Sequence, residues 1–247
     1  MSTRMSGESL RVGHVERLWR YPVKSMLGEP CDALRLDRRG VEGDRLFALR
    51  TADGRIASGK STRRFRRVEG LFRFAARLRG TGPVISLPGG AQASWDDEKV
   101  DSMLTEALGQ PVELVRESDV SHLDRGPVHV VTSASLRWLG AVMASGARDE
   151  RRFRPNLVID TASSDRVEDD WVHGRLAVGD AVRLSVTSRT ERCGMIGFAQ
   201  SDLPKDTSIL EQLVARADAR FGVYATVIVP GTIRRGDPVT LGRLDAS

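Results

Sequence analysis

Cys193 is one of two cysteines in the 247-residue chain, and its neighbours could make its thiol reactive. It follows Arg192 and precedes Gly194. A thiol beside a cation can form a low-pKa thiolate, which can bind a soft metal or carry sulfur. On position alone, however, a free cysteine is more often a small buried side chain. The choice between these interpretations depends on residues elsewhere in the chain.

Lysine is rare in this sequence and stands where a compact positive charge would be useful. Among 38 Lys and Arg residues, lysine occurs only at Lys24, Lys60, Lys99 and Lys205. Lys24 and Lys60 lie in turn-like segments with small neighbours, where a point charge can meet an oxyanion. Lys99 falls in a predicted helix, and we interpret it as solvated surface.

Four short segments combine residues that suit an anionic ligand. Arg154 and Asn156 are two apart, which places both side chains on one face of an extended segment. Taken singly, each segment is better explained by a surface cation or a satisfied turn residue. Together they offer fork-shaped donors, a point charge, an amide and a thiolate, a set that suits a phosphorylated cofactor holding a metal through sulfur. The segments contain Lys24 with Ser25, Arg45, Arg154 with Asn156, and Arg192 with Cys193.

Other kinds of site are disfavoured by the sequence. Residues 57–61 mimic the end of a nucleotide-binding loop, but the strand–loop–helix context of such a loop is missing. The histidines lack metal-ligand spacing. The net charge of +5 would fit nucleic acid, yet the basic clusters at residues 63–67 and 151–154 are short. Such clusters suit a small anionic ligand equally well, and composition alone does not separate the two. Nucleic acid is the less expected partner.

Alternating apolar residues predict many short strands and only three helices, so the predicted fold class is mainly β with a few helices (α+β). Asp53 and Gly54 predict a hairpin turn. A Ser-x-x-Asp pattern at Ser94 predicts the start of the first helix, which extends to residue 108. The second helix is predicted over residues 133–144, with Gly146 as its stop. The third starts near Ser208 and is expected to bury residues 210, 213 and 214. A polar seam at residues 116–127 separates two β-rich halves.

The expected location is the cytoplasm. No stretch approaches 18 uncharged apolar residues, so no membrane span is expected. The first ten residues lack the apolar core of a secretory signal. Two cysteines do not make a disulfide framework, which favours a reducing compartment.

The sequence resembles the MOSC proteins in a series of motifs that occur in order. Residues 21–25 (Tyr-Pro-Val-Lys-Ser) and 40–45 (Gly-Val-Glu-Gly-Asp-Arg) look like the family's N-terminal β-barrel module. The second half looks like the MOSC domain itself, which is shared with the C-terminal region of molybdenum cofactor sulfurases. It matches at residues 152–156, 168–171, 178–180, 192–193, 221–224 and 231–239. The resemblance implies an N-terminal β-barrel module over residues 10–117 plus a MOSC β-barrel domain over residues 125–243.

This resemblance implies a molybdenum cofactor (molybdopterin) held between the two modules. The cysteine that matches Cys193 is the protein thiolate ligand to molybdenum. Positions matching Lys24, Ser25 and Arg45 hold the pterin and its phosphate, and those matching Arg154 and Asn156 contact the cofactor from the MOSC half.

Further donors are inferred around this implied cofactor. By analogy, Thr132 and Ser133 at a helix start could donate to its phosphate. Lys60 could replace an arginine donor that many relatives carry, because residues 58–61 depart from their pattern. Arg192 could lower the pKa of the neighbouring thiol.

Among MOSC proteins, the chain is similar to the amidoxime-reducing components. This implies reduction of a small N-hydroxylated substrate, with electrons from a separate flavin, iron–sulfur or haem protein. After Cys193, residues 194–200 depart from the Asp-Pro and glycine turn of many relatives, which leaves the substrate side undefined. Two alternatives stay open: a sulfur carrier or transferase with a persulfide on Cys193, and a cofactor-free module that binds another anion.

Overall fold

A computed structural model of the chain describes residues 9–143 and 148–242. Most of the segment on which the secretory-signal expectation rests, residues 1–8, lies outside this range. So do Ala144 and Gly146, the predicted end of the second helix, and residue 243, the predicted end of the second module.

Short strands dominate the described residues, which confirms the predicted class. The strands are β1 Leu10–Arg20, β2 Glu29–Cys31, β3 Ala33–Asp37, β4 Gly40–Val41, β5 Phe47–Thr51, β6 Ile56–Ser58, β7 Phe65–Arg67, β8 Ala75–Arg79, β9 Gly82–Ser86, β10 Gln92–Ser94, β11 Val112–Arg116, β12 Val128–Thr132, β13 Leu157–Asp160, β14 Arg175–Val178, β15 Val182–Glu191, β16 Arg220–Val229, β17 Gly231–Arg234 and β18 Pro238–Gly242. The helices are α1 Val100–Leu108, α2 Ser133–Val142 and α3 Ser208–Ala217, with 3-10 turns at Leu71–Arg73, Glu150–Arg152, Val167–Trp171 and Gly194–Gly197.

Seven strands form a closed barrel in the order β1, β18, β14, β15, β16, β12 and β13, with β13 pairing back onto β1. Closure removes the exposed edges that an open sheet would present. The apolar positions of the alternating pattern, such as Leu176, Leu184 and Val223, point inward and are fully buried. Gly13 permits the closing contact, because a Cβ there would lie 1.9 Å from the carbonyl oxygen of Asp160.

Two smaller sheets lie within the N-terminal half. One has the order β11-β5-β6-β7 and the other β10-β9-β8. They share a second apolar core that includes Phe47, Phe74 and Leu104. Single β-bridges from Val23 to Phe47 and from Leu27 to Ala75 attach residues 23–27 to this half. Lys24 and Ser25 lie between these two bridges, and both are buried.

Strand pairing crosses the polar seam at residues 116–127. β1 belongs to the N-terminal half of the sequence but pairs with β13 and β18 of the second half. β3 pairs with β17 in the same way. The division into residues 10–117 and 125–243 remains a proposal about sequence modules, since the first strand of the chain completes the second half's barrel.

The helices differ from the sequence prediction in detail. α1 begins at Val100 because Ser94 ends β10, where it pairs with Val84, and its hydroxyl donates to Asp96 instead of capping a helix. α3 buries Ile209, Leu213 and Ala217, whereas Val214 is exposed. Lys99 precedes α1 and is exposed. Over residues 9–143 and 148–242, no helix is both long enough and apolar enough to cross a membrane.

Candidate functional site

A cavity of about 320 Å³, the cationic cavity, is lined by residues from both halves of the chain. It brings together six of the predicted site residues: Arg45, Lys60, Arg154, Asn156, Arg192 and Cys193. These residues belong to three of the four segments that suit an anionic ligand, together with Lys60. Other walls come from Asp124, His129, Met195 and Tyr224.

Cys193 lies where β15 ends and a 3-10 turn begins, at Gly194–Gly197. Its residue is exposed and its thiol is free, whereas Cys31, also free, is half-buried. The interpretation of Cys193 as a packed structural cysteine is therefore wrong. Burial raises the pKa of the Cys31 thiol, which makes Cys31 the less reactive type of thiol.

The guanidinium of Arg192 is hydrogen-bonded to backbone carbonyls and to a histidine. Its Nε and Nη2 donate to the carbonyl oxygen of Phe221, and its Nη1 donates to that of Phe153 at 3.2 Å. Nη2 also lies 2.5 Å from Nε2 of His129. Burial lowers the pKa of Arg192 to about 10, so the guanidinium remains charged at neutral pH. Its observed contacts fix the backbone just before Cys193.

His129, on β12, is a site residue that the sequence did not reveal. Because arginine can only donate, Nε2 of His129 accepts from Arg192, and Nδ1, 3.3 Å from the carbonyl oxygen of Arg154, carries the proton. Burial, reinforced by the charge of Arg192, holds the pKa of His129 well below its ordinary value. A neutral histidine in the cavity wall therefore links Arg154 to Arg192. An isolated histidine without metal spacing gave no signal for this role.

Arg154 supplies an unpaired donor. Its Nη1 donates to the carbonyl oxygen of Met26 at 2.6 Å, and its guanidinium lies 4.2 Å from the ring centre of Tyr21. Its Nη2 is buried and has no hydrogen-bond partner among the described residues. Burial lowers the pKa of Arg154 to about 10. A buried charged donor without a partner is costly, which indicates space for an acceptor that a ligand would bring.

Arg45 is held next to Arg154. Its Nη1 pairs with the buried carboxylate of Asp44, and its Nη2 donates to the carbonyl oxygen of Arg154 at 3.2 Å. Both arginines have left-handed backbones, with φ of 49° and 54°. Residue 154 is therefore not extended, so the two-residue alternation that predicted a shared face with Asn156 does not hold there.

Asp124 forms ion pairs with two of the predicted lysines. Its carboxylate lies 3.3 Å from Nζ of Lys24 and 3.0 Å from Nζ of Lys60. Although burial opposes ionisation, the two lysines hold the pKa of Asp124 well below its usual range. Burial lowers the pKa of Lys24 to about 8, against the opposing effect of Asp124. Asp124 belongs to the polar seam, where nothing in the spacing indicated a site.

Lys24 and Ser25 do not line the cationic cavity. Lys24 is only 3% exposed and donates to the carbonyl oxygen of His122 at 2.8 Å, so it acts on the cavity through Asp124. Ser25 is buried, with its hydroxyl 3.5 Å from that of Ser58, and it lines a neighbouring cavity.

Asn156 lines the cationic cavity, but its amide is occupied. Its Oδ1 accepts from the backbone N–H of His129 at 3.0 Å, and its Nδ2 donates to the carbonyl oxygen of Trp19 at 3.3 Å. Asn156 thus ties β12 to β1 and positions the wall.

Thr132 and Ser133 are the predicted residues that the structure places elsewhere. The Thr132 hydroxyl donates to Glu168 at 2.6 Å and accepts from the backbone N–H of Ser135, which caps α2. The Ser133 hydroxyl donates to Asp160 at 2.6 Å. Both hydroxyls donate to carboxylates, and neither residue lines the cavity. We therefore leave them out of the candidate site.

The balance of charge favours an anion in this cavity. Its lining contains the cations Arg45, Lys60, Arg125, Arg152, Arg154 and Arg192 against the acids Asp124 and Glu191. Within the described part of the chain, no group of three or more His, Cys, Asp or Glu residues could hold a metal ion. A metal here would be attached through Cys193 and would need further donor atoms from its own ligand.

Comparison with known proteins agrees with the motifs. The MOSC domain family matches residues 117–240, and the MOSC N-terminal beta barrel domain matches residues 12–114. The chain is 26% identical to molybdenum cofactor sulfurase of Oryza sativa subsp. japonica over 76% of its own length, but it spans only 28% of that relative. It is also 26% identical to mitochondrial amidoxime-reducing component 1 of Homo sapiens, covering 94% of this chain and 83% of the relative.

A solved structure shows the same fold at low identity. The YUAD protein of Bacillus subtilis superposes with a TM-score of 0.54 over 97% of this chain and 100% of its own, at 12% identity. The two matched domains together span almost all of the described residues. The chain therefore belongs to the MOSC domain family.

Proposed function

We propose that this protein is a molybdenum-cofactor-dependent oxidoreductase that reduces N-hydroxylated compounds, with Cys193 as the protein ligand to molybdenum. The observation that carries the proposal is an exposed, free thiol on the wall of a cavity that is rich in buried cations. The likeness to an amidoxime-reducing component supports the choice of reaction.

The residues present fit such a cofactor. Its phosphate is an anion, and Nη2 of Arg154 is a buried charged donor that lacks a partner in the described structure. Lys60 and Arg45 add positive charge on the same wall. The thiolate of Cys193 would supply the protein's bond to the metal, and the pterin's own sulfur atoms would supply others. The cavity volume lies at the small end of the range for ligand pockets.

The bound cofactor would supply the exchange of two electrons and of an oxygen atom, and the protein would supply position and protons. Breaking the N–O bond of an N-hydroxylated compound and releasing its oxygen as water consumes two electrons and two protons. Asp124 stays ionised and cannot donate a proton. Lys60 has a raised pKa because Asp124 outweighs the effect of burial, and burial raises the pKa of Tyr224. These two cavity side chains therefore hold protons at neutral pH.

The electrons would come from a separate protein. We propose a flavin, iron–sulfur or haem protein as the donor.

The experiment is a reductase assay on protein from a host that makes the cofactor. Reduced methyl viologen replaces the electron donor, and benzamidoxime serves as substrate. We expect benzamidine to form with wild type and with Cys31→Ala, and not with Cys193→Ala. Turnover by a molybdenum-loaded Cys193→Ala protein would refute the proposal.

The exposure of Cys193 also favours one other function, sulfur transfer. An accessible thiolate can carry a persulfide, and the chain resembles part of a molybdenum cofactor sulfurase. Intact-protein mass spectrometry separates the two candidates. A sulfur adduct on Cys193 in protein that binds no molybdenum would favour sulfur transfer.

A further inference from the structure

A second cavity of about 320 Å³ lies beside the cationic cavity and has a different character. We call it the apolar cavity. Val68, Leu71 and Phe72 are buried in its lining, and Phe198 and Ala199 complete it. The rings of Phe72 and Phe198 meet edge to face, with centroids 6.3 Å apart. Walls of this kind suit a flat apolar group.

The two cavities are separated by a thin layer of side chains. Met195 lines the cationic cavity and packs on Gly59, which lines the apolar cavity; a Cβ on Gly59 would lie 2.8 Å from Cγ of Met195. The guanidinium of Arg154 lies 5.5 Å from the ring centre of Phe72 across the same boundary. A group bound in the apolar cavity is therefore a direct neighbour of the residues around Cys193.

The segment that follows Cys193 connects the two cavities. Cys193, Met195 and Ile196 line the cationic cavity, and Phe198 and Ala199 line the apolar one. One short segment therefore contributes to the walls of both cavities.

The apolar cavity has a positively charged rim. Arg67, Arg73 and Lys205 stand at its edge with a single acid, Glu69, which pairs with Arg67 at 3.1 Å. Arg73 donates to the carbonyl oxygen of Ala107. The ammonium of Lys205 forms no ion pair or hydrogen bond with any described residue. It is available to a carboxylate on a ligand.

We propose that the apolar cavity binds the organic body of the substrate, and that the preferred substrate is an aromatic compound with a carboxylate. The ring would pack against Phe72 and Phe198 in the cavity wall, and the carboxylate would face Lys205. This inference rests on the proposed function only for the N-hydroxylated end of the molecule. Binding of the ring and the carboxylate requires neither metal nor turnover.

Calorimetric titration of the isolated protein, without any electron donor, tests this. The ligands are benzamidoxime and 4-carboxybenzamidoxime. At low salt we expect the carboxylate to bind about fivefold more tightly, the effect of one exposed ion pair. Lys205→Glu should abolish that preference, whereas Lys99→Glu, at an exposed lysine outside both cavities, should retain it.

Ala199→Trp fills the cavity from its exposed edge and should weaken the binding of both ligands about tenfold or more, since the ring loses its buried surface. Ala52→Trp, in an exposed hairpin turn, is the matched control.

Equal affinities for the two ligands, or unchanged binding by Ala199→Trp, would overturn the inference. Because the titration measures binding alone, this result is independent of whether the protein contains molybdenum or reduces the N–O bond. Active, molybdenum-loaded protein with unaltered binding by both variants would refute the substrate class and leave the proposed function standing.

Discussion

At the scale of single residues, the environment of each side chain decides its chemistry more than its type does. The two cysteines differ in exposure, and only Cys193 adjoins a cationic cavity. Arginines that looked alike in sequence divide into Arg154, with an unpaired donor, and Arg192, which is occupied by carbonyls and a histidine. The sequence predicted six of the residues that line the cavity. Their hydrogen-bond and ion-pair partners come from segments far apart in the chain and left no local signal.

His129 makes stability depend on pH. Its pKa is depressed in the folded state. Below about pH 6.5, His129 is therefore protonated in the unfolded chain but stays neutral in the folded chain. Stability should then fall by about 1.4 kcal/mol per pH unit as the pH drops below that value. His129→Gln should flatten this slope in urea unfolding at pH 5 and 7. Val223→Ala, a core truncation without a titrating group, should lower stability equally at both pH values. An unchanged slope in His129→Gln would contradict the assignment.

Lys24 should make anion binding depend on pH between about pH 7 and 9. Its pKa of about 8 means that it loses its charge as the pH rises from 7 to 9, leaving Asp124 less compensated. We expect sulfate, whose own charge is constant over this range, to bind the protein several times more weakly at pH 9. In Lys24→Met this pH dependence should be absent. Equal pH dependence in the two proteins would show that Lys24 does not control the cavity's charge.

At the scale of elements, the presence of many short strands was predictable, but the pairing of these strands into sheets was not. Alternation predicted many short strands, and Asp53-Gly54 forms the predicted turn between β5 and β6. The Ser-x-x-Asp pattern at Ser94 wrongly predicted a helix start. Ser94 pairs with Val84 at the end of a strand and therefore does not cap a helix. The left-handed backbones at Arg45 and Arg154 could not be predicted, since neither residue is a glycine.

Thr132 tests the distinction between a phosphate donor and a helix cap. Thr132→Val removes the cap of α2 and leaves Glu168 without its hydroxyl partner. We expect a loss of about 1–2 kcal/mol in the free energy of unfolding. Molybdenum per folded chain should not change, because Thr132 does not line the cavity. Thr187→Val, at an exposed position of β15, should cost much less. Loss of molybdenum from folded Thr132→Val would return Thr132 to the site.

At the scale of the whole molecule, the two sequence modules are interdependent. β1 fills the gap between β13 and β18, so the barrel of the second half is closed by the first strand of the chain. Residues 118–242 expressed alone should therefore lack a cooperative unfolding transition, because an unclosed barrel exposes two strand edges. Circular dichroism during thermal unfolding measures this. A sharp transition comparable with that of the full chain would show that β1 is dispensable.

The cationic cavity is a product of this arrangement. Arg45 and Lys60 come from the N-terminal half, whereas Arg154, Arg192 and Cys193 come from the second half. The family resemblance predicted this meeting of modules, and the structure adds the groups that hold it, chiefly Asp124 and His129.

Molybdenum analysis of three proteins from a cofactor-producing host tests the central claim most directly. Wild type and Cys31→Ser should contain stoichiometric molybdenum, and X-ray absorption should show the same number of sulfur ligands in both. Cys193→Ser should lose the metal or retain it with one sulfur ligand fewer. Molybdenum held by Cys193→Ser with unchanged sulfur coordination, or wild type that binds none, would contradict the account.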